Sequence, residues 1–226
     1  MRLGRSGGYL ILLVDMPAKK SSAKQSHQRQ PAERSRSKGK RQRLQVLSSK
    51  VVYKGPVFSV TSDRVQEPSG IVARRDVVHH SGSVVILAVD DTGAEPLVLL
   101  ERQYRYAAQD YLWELPAGSI DPREKALTGA KRELLEETGY HAKKWKRALF
   151  FYPSPGFLNE TMAVYLAREL TAGEAEPEPD EVIECELTPL SRAIAMVFSG
   201  KIRDGKTIAG VLWLAESLGR GQCAKK

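Results

Sequence analysis

The chain has 226 residues, 42% of them apolar, and a formal net charge of +8. That length and composition suit one domain of ordinary size with appendages. No stretch approaches the roughly 20 apolar residues that a spanning helix needs, so a membrane span is excluded and a soluble protein is expected. Cys185 and Cys223 show neither CxxC spacing nor neighbouring histidines. A disulfide framework and a zinc site are therefore not indicated, and a reducing, cytoplasmic setting fits best.

The apolar run at 9–14 follows a basic MRLGR, but it is short and meets Asp15, so a secretory leader is not expected; Met16 is an alternative start. Residues 17–43 are nearly all Lys, Arg, Ser, Gln and Ala, with Glu33 as the one acid. Such a stretch cannot pack a core, and 1–43 is expected to be a disordered basic arm. A solvated tail is the commoner role for such an arm, and nonspecific contact with nucleic acid the sharper one.

From residue 44 a folded region begins. Short strands are expected at 51–54, 57–65 and 70–79, separated by Lys54-Gly55-Pro56 and Glu67-Pro68-Ser69-Gly70. Apolar runs at 83–89 and 96–102 flank Asp90-Asp91-Thr92-Gly93, a hairpin signal. An apolar stretch at 111–116 leads into Ala117-Gly118. A helix is expected over 122–138, then strands at 148–152, 161–168 and 182–187, helices at 190–198 and 207–218, and a flexible tail from 219. Strands bracketing isolated helices argue for an α/β layered sandwich on a mixed sheet, without internal repeats.

The helix at 122–138 carries the chemistry. Asp121 is placed as its N-cap, Pro122 as its first residue, Glu124 as the return arm of a capping box and Gly139 as a left-handed stop. Leu127, Ala130 and Leu134 share one stripe, the expected buried face. Glu133, Glu136 and Glu137 then occupy an adjacent arc roughly 100° wide. On a solvated helix such glutamates are commonly a charged face only. At an effective dielectric of about 20 and a spacing of about 5 Å, however, each pair repels by roughly 3 kcal/mol. Arg132 is assigned to another side of the helix and is poorly placed to serve all three. A hard divalent cation, Mg²⁺ or Mn²⁺, takes several carboxylate oxygens at once.

Residues 118–140, GSIDPREKALTGAKRELLEETGY, closely resemble the signature of the Nudix hydrolases. Gly118, Glu124, Arg132, Glu133, Leu134, Glu136, Glu137 and Gly139 match its fixed positions, and Tyr140 departs from the usual aliphatic residue. The resemblance covers about 45–218. It implies a Nudix-type α/β/α sandwich with a central mixed sheet, with 81–218 as the Nudix domain and 44–80 as an N-terminal antiparallel strand region for dimerisation and substrate. It further implies Glu133, Glu136, Glu137 and the Ala117 carbonyl as metal donors, and Glu124 and Arg132 as a bracing pair. The reaction implied is attack of water on a diphosphate linkage, for which the cations polarise phosphoryl oxygens and activate water.

RQYR at 102–105, WELPAG at 113–118 and SPGFLNE at 154–160 are similar to the branch acting on ADP-ribose and related nucleoside diphosphate sugars. In that branch Arg105 would reach the diphosphate, Glu160 would hold the terminal ribose, and Phe58 or Arg75 would contact adenine, with a partner subunit as an alternative source. A homodimer with exchanged N-terminal strands is implied. Glu181 is the expected base, with Asp180 or Glu178 as alternatives, and Glu136 and Arg132 join it in the catalytic set. GDP-mannose, NADH and RNA 5′ ends are the alternative substrates, and a non-catalytic ADP-ribose-sensing regulator is the alternative outside enzymes. GKIRDGKT at 200–207 fits a phosphate-loop pattern, but Leu190, Ile194 and Phe198 before it recur with helical spacing, so a triphosphate site is rejected. His79-His80 is taken as a strand end.

Overall fold

The computed structural model describes residues 43–176 and 182–223. The arm at 1–42, the stretch holding Glu178, Asp180 and Glu181, and the last three residues lie outside them.

Three strands come first: β1 (Gln45–Lys54), β2 (Phe58–Gln66) and β3 (Val72–His80), paired antiparallel in that order. Then follow β4 (Ser83–Asp90), β5 (Leu97–Arg105), β6 (Asp110–Glu114), β7 (Ala117–Ser119), α1 (Ala126–Thr138), β8 (Tyr140–Phe151), β9 (Met162–Ala172), β10 (Ile183–Pro189), α2 (Leu190–Phe198) and α3 (Gly205–Cys223). The larger sheet runs β10-β5-β4-β9-β8, with β6 on β5 and β7 on β4. It is mixed, because β4 and β9 are parallel.

β4 explains the layering. Its run SVVILAVD is apolar on both faces, as a strand covered twice must be. Val85, Leu87 and Val89 pack with Leu190, Ala193, Met196, Val211 and Leu214 of α2 and α3. Val84, Ile86 and Ala88 pack with Ala130 and Leu134 of α1. All six β4 residues are fully buried, and each Val, Leu or Ile removed from water contributes about 1.5–3 kcal/mol. The expected α/β/α sandwich is thus present.

The hairpin at Asp90–Gly93 is less than a full ladder. β4 and β5 pair only through Val89–Val98 and Asp90–Leu97. Beyond that point the strands fork. β6 fills the gap along β5, β7 fills it along β4, and the Ile86 N–H donates to the Pro116 carbonyl at 2.8 Å. WELPAG is therefore wedged into the sheet, with Leu115 fully buried.

Several expected boundaries move. Helix α1 begins at Ala126, not at 122, with Lys125 as N-cap and no side-chain cap bond. Arg123 sits in the left-handed region at φ 71°, which stops any helix from running through it. Glu124 does accept the Asp121 N–H at 3.2 Å, but in a turn before the helix. The stop at Gly139 is as expected, at φ 72°. Leu127 is 37% exposed, and the buried stripe is Gly129, Ala130, Leu134 and Glu137. Strand β8 begins at Tyr140 rather than 148, and β1 at Gln45 rather than 51. Both carry polar residues on exposed positions, which masks the alternation. Gly200–Asp204 joins α2 to α3 and follows no strand, as expected for a false phosphate loop.

The small sheet is tied to the β8–β9 loop. The Val78 N–H donates to the Phe157 carbonyl at 2.8 Å, and the Asn159 N–H to the Val78 carbonyl at 3.0 Å. The His80 N–H donates to Asn159 Oδ1 at 2.9 Å, and the His79 ring meets Asn159 and Thr61, so both histidines serve a strand end.

Candidate active site

A cavity of about 780 Å³ opens between the start of β7 and one face of α1. Arg105, Ala117, Gly118, Arg132, Glu133, Glu136 and Glu137 are among its lining residues. Three spacings of the sequence bring them together. The helix periodicity stacks the glutamates, the β6–β7 wedge lays Ala117 and Gly118 beside them, and β5 ends on Arg105.

Gly118 is required by close approach. A Cβ on it would stand 2.0 Å from Glu133 Cδ, so the Glu133 carboxylate occupies the space a side chain would fill. Glu137 is buried, and its Oε2 accepts the Ala117 N–H at 3.0 Å. Glu136 is the most open of the three, with its side chain 41% exposed.

Arg132 departs from its expected side. Its guanidinium lies 2.9 Å from Glu133 Oε1, 2.8 Å from Glu136 Oε2 and 3.2 Å from Glu124 Oε2, and it also donates to the Ser119 carbonyl at 3.3 Å. A long side chain spans the arc that the bare helical angle assigned elsewhere. The Glu124 hydrogen bond, partial burial and then Glu136 set its acidity, and the net effect is a guanidinium held even more firmly in its charged form. The expected Glu124–Arg132 brace is present, packed on Gly129, where a Cβ would meet Glu124 Oε2 at 2.8 Å.

The donors fit a hard divalent cation. They are carboxylate oxygens around an open volume, and the space over Gly118 keeps Glu133 aimed into it. Among the described residues no group of three or more His, Cys, Asp or Glu side chains is arranged to hold a metal ion as it stands. Arg132 bridges Glu133 and Glu136.

Arg105 lines the cavity and is held from behind. Its Nε and Nη2 donate to the two oxygens of Glu114 at 2.9 and 3.0 Å, a bidentate pair. Glu114 is 2% exposed and also meets the Lys206 ammonium. Burial pushes the Glu114 carboxyl up, but Arg105 and Lys206 outweigh it and hold it below the ordinary carboxylate range.

The remaining expected residues stand apart. Glu160 accepts the Ser83 hydroxyl at 2.6 Å and lies 3.7 Å from the His80 ring. Phe58 packs at 5.3 Å on Tyr53, and Arg75 pairs with Glu67 at 2.6 Å. None of the three lines the cavity, whereas Pro56 and Val57 of the β1–β2 turn do. Glu181 lies outside the described residues. Glu114 and Lys206 were not singled out. The available signal was a glutamate inside the apolar run Trp113–Pro116, because a charge buried in a strand needs a partner.

Comparison with known proteins agrees with this geometry. A family model of the NUDIX domain matches residues 79–210. An ADP-ribose pyrophosphatase of Bacillus subtilis (strain 168) is 35% identical over 170 residues, covering 74% of this chain and 90% of that protein. One from Mycobacterium tuberculosis (strain ATCC 25618 / H37Rv) is 38% identical over 177 residues, covering 75% of this chain and 82% of that one. A solved ADP compounds hydrolase has the same fold, with a TM-score of 0.70 at 20% identity over 80% of this chain and 96% of that one. With a domain match over more than half its length and relatives of that identity along most of theirs, the chain belongs to the NUDIX domain family and is a Nudix hydrolase.

Proposed function

We propose that the protein hydrolyses the diphosphate bond of ADP-ribose or a related nucleoside diphosphate sugar, giving a nucleoside monophosphate and a sugar phosphate. One observation carries the reading. Arg105 and the three α1 glutamates face the same cavity, so a planar cation suited to phosphate oxygens stands opposite donors suited to metal.

Glu133, Glu136 and Glu137, with the Ala117 main chain, would hold Mg²⁺ or Mn²⁺. When bound, the cations would polarise the phosphoryl oxygens and lower the pKa of water. Arg105 orients the diphosphate, and Arg132 keeps Glu124 and the helix face in register. A carboxylate takes the proton of the attacking water, and Glu181 is the assigned base. Glu160 is assigned to the terminal ribose on the resemblance of SPGFLNE at 154–160 to that branch, and it does not itself line the cavity. Phe58 or Arg75 of the small sheet is assigned to adenine, with a partner subunit's copy as an alternative source.

The small sheet supports a homodimer. Every residue of β1 is exposed, and Val46, Val51, Val52 and Phe58 are 56%, 59%, 53% and 40% accessible. An apolar face of this kind is commonly covered by another chain. We assign 44–80 to dimerisation and substrate, 81–218 to the Nudix domain, and a cytoplasmic location to the whole.

Purified protein incubated with Mg²⁺ and ADP-ribose, GDP-mannose, NADH or capped RNA tests the reading. ADP-ribose is expected to give AMP and ribose 5-phosphate fastest. Equal idleness on every diphosphate would refute hydrolysis, and a faster NADH or capped RNA would move the substrate class.

A further inference from the structure

The false phosphate loop ends in Asp204-Gly205-Lys206-Thr207, and Lys206 lines a small pocket of about 190 Å³ together with Arg105, Ala117 and Gly118, which also line the main cavity. Asp204 Oδ2 accepts the Thr207 N–H at 2.9 Å and its hydroxyl at 2.6 Å, which caps the start of α3. The same Thr207 hydroxyl oxygen accepts the Leu115 N–H at 2.7 Å. Lys206 lies 3.2 Å from Asp204 and pairs with Glu114. Thr207 is fully buried, and Lys206 is 9% exposed. One turn on, a Cβ at Gly210 would meet Leu115 Cδ1 at 2.6 Å, so α3 is seated directly on the wedge.

Glu114 needs this support. It stands opposite Glu101 in the β5–β6 register, and both are buried, so like charges face each other across adjacent strands. Arg105 offsets that repulsion from the cavity side. Lys206 offsets it from the α3 side. With Lys206 gone, Glu114 would lose one of its two cationic anchors and shift, and the Arg105 guanidinium that it holds bidentate would shift with it.

We propose that Asp204, Lys206 and Thr207 form a positioning bracket that fixes Glu114 and Leu115, and through Glu114 holds Arg105 in one orientation toward the substrate's diphosphate. The bracket touches no reacting atom. It rests on the assignment of Arg105 to the diphosphate made above. Its signature is a loss of substrate binding with chemistry largely retained.

The experiment is a double-mutant cycle on the full chain. Lys206→Met, Lys206→Arg, Arg105→Gln and the Arg105→Gln/Lys206→Met pair are compared by Mg²⁺-dependent ADP-ribose hydrolysis and by calorimetric ADP-ribose binding in metal-free buffer. Lys206→Met should raise KM and Kd about tenfold with kcat within about twofold, and Lys206→Arg should recover most of the loss. On the Arg105→Gln background, Lys206→Met should add less than about twofold. Full multiplication of the two effects, or a lowered kcat at unchanged KM, would overturn the bracket. So would a drop in melting temperature with Kd unchanged. If Lys206→Met does not fold, Thr207→Val removes the acceptor of the Leu115 N–H and must show the same rise in KM, with Thr207→Ser restoring it. A wild type that binds ADP-ribose without cleaving it would sink the proposed hydrolysis while leaving the cycle readable in Kd. One that binds no ADP-ribose would overturn the bracket too.

Discussion

Two groups of glutamates lie within this domain, and they meet opposite fates. Glu101 and Glu114 face each other on β5 and β6, fully enclosed, and Glu114 has Arg105 and Lys206 of the same chain as its cations. Glu133, Glu136 and Glu137 are crowded on one helix face, and they border about 780 Å³ of open volume. The first group is compensated from inside and works as scaffold. The second is arranged around space, where a cation from solvent can enter. Residue type is the same in both, and Arg132 pairs with two of the helix glutamates as Arg105 and Lys206 pair with Glu114; what separates structure from function is whether the group is enclosed or borders open volume.

Glu137→Gln tests that division most severely. The glutamine carbonyl can still accept the Ala117 N–H, so the fold should persist, while turnover falls about a thousandfold, a loss of roughly 4 kcal/mol of transition-state stabilisation. Steady-state kinetics beside circular dichroism would check it, and activity within tenfold of wild type would erase the distinction.

Glu114→Gln should behave in the opposite way. Removing one member of an enclosed ion group should cost about 3 kcal/mol of stability, read by urea denaturation. An unchanged midpoint would mean that the inner group is not scaffold.

Gly118→Ala probes the border between the two. The added methyl collides with the end of a flexible side chain, so the helix survives, but Glu133 must swing away from its seat. Activity is expected to drop about a hundredfold with a melting temperature within a few degrees.

The smallest effect is on acid stability. Because the folded Glu114 carboxyl lies below its ordinary value of 4.5, its contribution is complete above that pH and disappears as the pH falls through the lower folded value. The stability gap between wild type and Glu114→Gln should therefore be flat above about pH 5 and close below it. A gap that widened with acid would reverse the assigned sign.

Much of this was legible in the chain itself. The apolar run of β4, the existence of the helix and its stop at 138, and the rejection of the phosphate loop follow from periodicity, because each depends on neighbours in sequence. What periodicity missed depends on distant partners or on reach. The Arg123 backbone breaks the expected cap, and no local propensity announces an arginine at positive φ. Arg132 was assigned by the angle of its Cα, whereas its guanidinium ends several bonds away among Glu124, Glu133 and Glu136. Glu114 and Lys206 meet across 92 residues. The position of Lys206 inside a motif that fails as a nucleotide loop gave no hint that it braces a strand.

Strand β8 closes one end of the large sheet, and its exposed positions carry Lys143, Lys144, Lys146 and Arg147. An outermost strand offers a row of unused amides and carbonyls to any chain that meets it. Two copies approaching through these rims would bring eight positive charges together before a single ladder bond formed. That repulsion disfavours pairing of two copies through this edge.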